Sequence, residues 1–242
     1  MSIADNIKRV INNIGEAAIQ SGHNPQDIML VGVTKTVGVE QAREMLQAGV
    51  NNIGENRPQE LLRKYGALTK NEAGMETSME ANIKARTRWH LIGHLQTNKV
   101  KSIIGQVSLI HSVDSLRLAE EIDKRAAQIG RVVDILAEIN IAREQSKHGI
   151  YPEKAREFAL LLLKLTNIRL KGLMCVAPNV ENQEDNRKYF AQMRDIMIDI
   201  NKNLVHNENL TDLSMGMTND YIAAICEGAT IVRVGTGIFG AN

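Results

Sequence analysis

Eight times along this chain a short apolar run gives way to a polar or glycine-bearing turn and then to a helical pattern. The runs are 28–34 (IMLVGVT), 51–54 (NNIG), 89–93 (WHLIG), 108–112 (SLIHS), 132–139 (VVDILAEI), 168–174 (IRLKGLM), 211–215 (TDLSM) and 230–234 (TIVRV). Between them, Val39, Ala42, Met45 and Leu46 share one helical face, with Gly49 as a stop. "SLRLAEEIDKRAAQIG" has Ser115 as N-cap and Gly130 as its close, and in "PEKAREFALLLLKL" Pro152 suits the first turn. A fourth helical segment is "NQEDNRKYFAQMRDIMIDINKNL". Strands alternating with helices imply βαβ units and a parallel sheet. Eight such units in 242 residues predict an α/β fold, a single (β/α)8 barrel spanning residues 1–242. The competing open doubly wound sheet calls for a glycine-rich fingerprint after its first strand, and "VGVTKT" is not one.

Two segments stand outside the rhythm. Ile3, Ile7, Val10, Ile11, Ile14 and Ala18 predict an extra amphipathic helix ahead of the barrel. The polar stretch 67–88 reads as an exposed excursion between the second helix and the third strand.

Charge excludes some functions. Lys+Arg 29 against Asp+Glu 28 leaves a net charge of +1, so no overall field attracts nucleic acid or an anionic membrane. No stretch approaches the roughly 20 apolar residues of a membrane span, and the N-terminus has no apolar leader core. A soluble, cytoplasmic protein is the expectation. Cys175 and Cys226 are too few for a disulfide framework and lack metal-ligand spacing. Both lie in apolar stretches and read as buried free thiols; no metal site is expected.

The chemistry gathers at strand ends. Lys35 closes the first apolar run, where a barrel points residues into its mouth and where a neutral amine can attack a carbonyl. "LSMGMTND" after strand seven offers Ser214, Gly216 and Thr218, the last a candidate N-cap. "VRVGTGIFG" after strand eight offers Gly235, Thr236 and Gly237. Loops after strands seven and eight are a recurring phosphate site in such barrels. Arg233 interrupts "IVRV" and needs an acceptor, from a ligand or from an acidic core residue. An amine, a phosphate cradle and a planar donor suit pyridoxal 5′-phosphate (PLP). A Schiff-base aldolase acting on a sugar phosphate is the rival; it should add a second lysine or acid, for which Glu138 and Lys171 are candidates.

"VGVTK", "GENRPQE", "WHLIGHLQTNK" and "LSMGMTNDYIAAICEGATIVRVGTGIFG" together resemble the pyridoxal phosphate homeostasis protein family across essentially the whole chain. The resemblance implies a barrel like the N-terminal domain of alanine racemase (PLP fold-type III) and covalent PLP. It implies that Lys35 forms the Schiff base, that Ser214, Gly235 and Thr236 cradle the phosphate, and that Arg233 meets the ring nitrogen. Asn56 is carried over as a neighbour of the lysine; His90 and Gln96 receive no role beyond lining the mouth, and His90 reads best as a satisfied structural histidine. The 67–88 excursion is longer than the link usual in that family. The implied function is a carrier or buffer in PLP homeostasis, with PLP-dependent apo-enzymes as partners and a monomer as the expected state. Alanine racemases add a β-domain carrying a catalytic tyrosine, and here the sequence closes soon after the last barrel motif. Tyr65, Tyr151, Tyr189 and Tyr221 are not expected in the mouth, so efficient turnover is not expected either. The alternative is a PLP-dependent racemase or lyase.

Overall fold

The computed structural model describes residues 2–69, 81, 84–204 and 209–240. Its strands are β1 (Met29–Val33), β2 (Asn52–Glu55), β3 (Arg88–Leu91), β4 (Leu109–Val113), β5 (Val133–Glu138), β6 (Ile168–Met174), β7 (Asp212–Met217) and β8 (Ile231–Val234). All pair in parallel in sequence order, and β8 closes on β1 with Met29 opposite Ile231. Every predicted run overlaps a strand to within two residues at either end. Helices outside the barrel include α1 (Ile3–Gln20), α2 (Val39–Gln47), α3 (Pro58–Thr69), α4 (Val100–Ile103), α5 (Leu116–Gln128), α6 (Ala155–Leu162), α7 (Arg187–Lys202), α8 (Tyr221–Cys226) and α9 (Thr236–Phe239).

Strand alternation sorts the apolar residues into two cores. Val31, Leu109, Leu136, Met174 and Ile231 fill the inside of the barrel, while Val232, Val234, Ile110, Leu213 and Met215 face the helices. The same alternation turns His90, His111, Ser214 and Arg233 inward, above that apolar plug. Their polar atoms must therefore satisfy one another or a ligand.

The register shifts between Ser214 and Met217 in the β7–β8 pairing. There Gly216 adopts φ +88°, and a Cβ would come within 2.6 Å of Ala224, so glycine is required. The irregularity lifts Thr218 to the mouth while leaving Ser214 inside.

Helix α1 is capped by a reciprocal Ser2–Asp5 pair and buries Ile7, Val10, Ile14, Ala17 and Ala18. It packs against α8 and α9, and Asn6 Nδ2 donates to the Ile238 carbonyl at 2.9 Å. The extra helix thus braces the turns that end β7 and β8. The excursion differs from its expected form at both ends: residues 67–69 complete α3, and 84–86 are helical. The remainder (70–80, 82 and 83) lies outside the described residues. Cys175 is buried as expected, whereas Cys226 is only half-buried. No helix among the described residues is long and apolar enough to cross a membrane.

Candidate functional site

A cavity of about 310 Å³ opens at the C-terminal end of the barrel. Lys35, Arg233, Gly235 and Thr236 line it, with Thr218, Asp220 and Lys147. Lys35 follows β1 by two residues, is exposed, and has no hydrogen-bond or ion-pair partner among the described residues. Beneath it, Thr34 is fully buried. Its hydroxyl donates to Glu55 Oε1, and its carbonyl accepts from Lys64 Nζ, which also pairs with Glu55. This buried ion pair, reaching from α3 under β1 and β2, fixes the backbone from which Lys35 projects. Neither partner stands out in the sequence, because Lys64 reads as an ordinary helical lysine.

Arg233 is 4% exposed, and burial pulls its pKa down. Nη1 donates to the Ser214 carbonyl at 2.8 Å and hydroxyl at 2.6 Å, and Nη2 donates to the Cys175 carbonyl at 2.8 Å. A guanidinium has five N–H groups, so donors, Nε among them, remain for the cavity.

Ser214 does not reach that cavity. Its hydroxyl is fully buried beside His111 Nδ1 at 2.9 Å; His111 Nε2 lies 2.9 Å from His90 Nδ1, and His90 Nε2 lies 3.2 Å from Asn52 Oδ1. One assignment satisfies every atom: His90 donates to Asn52, His111 donates to His90, and Ser214 donates to His111 while accepting from Arg233. Both rings are then neutral. Burial agrees, holding His90 down to about 4 and His111 well below its ordinary value. His90 is accordingly a satisfied interior residue that does not line the mouth, and Ser214 is a support for Arg233 with no surface toward a phosphate.

The hydroxyl at the cradle belongs to Thr218. Its Oγ1 accepts from the Gly235 and Gly237 N–H groups at 3.2 Å each, tying the β7 turn to the β8 turn. The N-cap position of α8 expected for Thr218 is held by Asp220, whose carboxylate accepts from Met217 N and from Asn186 Nδ2. Asn56 and Gln96 line a second cleft of about 630 Å³ with Arg57, His94 and Lys99. Asn56 follows β2 as Lys35 follows β1, two residues beyond the Val33–Gly54 pair of the parallel register. Lys147, from the loop after β5, is a second cavity amine that no strand-end pattern marks.

The remaining candidates fall apart from the cavity lining. Lys171 lines a pocket with Val132, Leu165 and Ile168, at the opposite end of the barrel. Glu138 ends β5 with its Oε2 buried and unpartnered; burial, then the charge of Asp114, push its pKa up to about 7. Tyr65 packs edge-on against Trp89, Tyr221 accepts from Asn13, Tyr189 lies under Lys188 and Tyr151 is exposed.

Residues 5–242 match the family described as alanine racemase, N-terminal domain. The chain is 41% identical over 240 residues to the pyridoxal phosphate homeostasis protein of Aquifex aeolicus, covering 99% of this chain and 98% of that one. It belongs to this family. The Escherichia coli K12 member is 34% identical over 99% of the chain and 97% of its own length. PipY of Synechococcus elongatus, solved with PLP bound, superposes with a TM-score of 0.79 at 31% identity, covering 99% of this chain and 100% of that one. Alanine racemase of Clostridium difficile shares the fold (TM-score 0.71, 18% identity), this chain matching 57% of its length.

Proposed function

We propose that this protein binds PLP covalently through Lys35 and acts in PLP homeostasis, as a carrier or buffer. The observation that carries the reading is the convergence of the strand-end amine of Lys35, one arginine with donors to spare and the joined β7–β8 turns on a single cavity. The relatives named for PLP homeostasis and the PLP-bound PipY support it.

Each group has a task in this reading. Lys35 would supply the amine that replaces the cofactor's aldehyde oxygen, which leaves as water, and the Thr34–Glu55–Lys64 bond set holds the backbone from which that amine projects. The phosphate rests on the β8 turn, where Gly235 allows close backbone approach and the Thr236 amide and hydroxyl can donate. Arg233 meets the ring nitrogen. PLP supplies an electron sink for carbanions, and an arginine that only donates leaves the ring nitrogen unprotonated, which weakens that sink.

Racemase chemistry needs an acid and a base on opposite faces of the bound substrate. The four tyrosines are engaged elsewhere or exposed, and Asp220 has both carboxylate oxygens accepting bonds. Slow exchange at best is therefore the expectation.

Borohydride reduction followed by peptide mapping tests the reading directly. The label is expected on the Lys35 peptide and absent in Lys35→Ala; a label on Lys147, the other cavity amine, overturns it. Chiral analysis of the loaded protein with a panel of L- and D-amino acids is expected to show no turnover near the enzyme median of roughly 10 per second. Turnover at that rate would make the protein an enzyme.

A further inference from the structure

A second polar cluster lies on the barrel rim. His94 in the loop after β3, Asp114 at the end of β4 and His148 in the loop after β5 bring their ligand atoms within 4.8 Å of one another. His94 Nδ1 stands 3.1 Å from Asp114 Oδ2, and His148 Nδ1 stands 3.7 Å from the same oxygen. The imidazoles are stacked, their centroids 3.7 Å apart. We propose that these three residues form a binding site for a divalent transition-metal ion of the zinc class.

Geometry argues first. Zinc bonds of about 2.0–2.2 Å at tetrahedral angles place ligand atoms roughly 3.3–3.6 Å apart. Both separations to Asp114 fall close to that range. The two stacked rings have to unstack for their in-plane lone pairs to meet at one ion, and their exposure leaves room for that turn. Two imidazoles and one carboxylate, with no thiolate, suit zinc and its neighbours better than the hard cations magnesium and calcium, which prefer all-oxygen shells. With His94 38% and His148 54% exposed at the side chain, water can take the open position.

The second argument is that the loops carrying the two histidines are braced. The Ser112 hydroxyl donates to the Gly93 carbonyl at 2.6 Å, fixing the backbone beside His94. Asn140 Nδ2 donates to the Glu144 and Lys147 carbonyls at 2.8 and 3.2 Å, closing the loop that carries His148. Gly149, at φ +109°, brings that loop against Asn140, where a Cβ would lie 2.6 Å from the backbone nitrogen. Asp114 follows directly from β4. Braces of this kind are what separate a preorganised site from a chance cluster. The ligands come from three loops, so no linear motif marks them.

The test is independent of PLP. Full-length, tag-free, cofactor-loaded protein is titrated calorimetrically with Zn²⁺ in a non-chelating buffer, with excess Mg²⁺ as competitor. One Zn²⁺ per chain is expected, undisturbed by Mg²⁺. His94→Ala and His148→Ala should each weaken it by at least the roughly 10–100-fold that supporting residues alone are worth in metal sites. Both exposed positions should leave melting in EDTA unchanged; should either variant misfold, Cu²⁺ bound to the wild type is expected to show electron-spin coupling to two imidazole nitrogens. No saturable binding, unchanged affinity in the double variant, or coupling to other than two nitrogens overturns the proposal.

Discussion

Arg233 stays in place because Ser214 offers it two acceptors, and Ser214 can do so because its own proton goes to His111. Ser214→Ala removes one charge-assisted bond and leaves His111 Nδ1 without a donor. A buried acceptor stranded in this way costs about 1–3 kcal/mol. The expected readout is a lower urea midpoint with an unchanged m-value, since the exposed surface on unfolding is the same. An unchanged midpoint would mean that the chain from Asn52 to Arg233 contributes nothing, and that Arg233 is held by the Ser214 and Cys175 carbonyls alone. The same hydroxyl shows how a correct motif can hide the job of its residue. "SMGM" marks the right turn, yet the hydroxyl that lines the cavity there is that of Thr218, because the Gly216 kink separates it from Ser214.

The elements themselves were legible for a physical reason. A parallel strand covered on both faces is apolar throughout, so each of the eight runs announces itself, and glycine or proline punctuates the helices between. Depth within the barrel was not legible. A strand shows which residues alternate, but a one-residue shift reverses inside and outside, and three strand pairs carry such shifts. Long-range pairing was equally hidden. Lys64 joins α3 to β1 and β2 through Thr34 and Glu55, all of them fully buried. Lys64→Met should cost about 3–5 kcal/mol, because Glu55 is left as an uncompensated buried charge. Adding Glu55→Gln should restore part of that loss in chemical denaturation. If the single variant is as stable as the parent, the pair is not what fixes the end of β1.

Across the whole molecule, the buried titratable groups pull stability in opposite directions as pH falls. His90 and His111 take up protons near 6.5 when unfolded, but in the folded chain burial holds His90 down to about 4 and His111 well below its ordinary value. Between those values the unfolded state binds more protons, so each histidine lowers stability by about 1.4 kcal/mol per pH unit of acidification. Glu138 acts the other way. Its folded carboxyl is protonated below about 7, while the unfolded one stays charged down to about 4.5, so folding gains stability as pH drops through that window. Two groups against one leave a net loss of about 1.4 kcal/mol per unit from these three between pH 6 and 5. Glu138→Gln deletes the opposing contribution. Denaturant titrations of cofactor-free protein should then show the variant losing stability more steeply, by about 1.4 kcal/mol per unit, over that interval. The variant should also gain at pH 8, where it no longer buries a charged carboxylate. Parallel curves for the two proteins would place Glu138 in contact with solvent, and would remove the unpaired carboxyl that the end of β5 now presents beside Arg233 and Asp114.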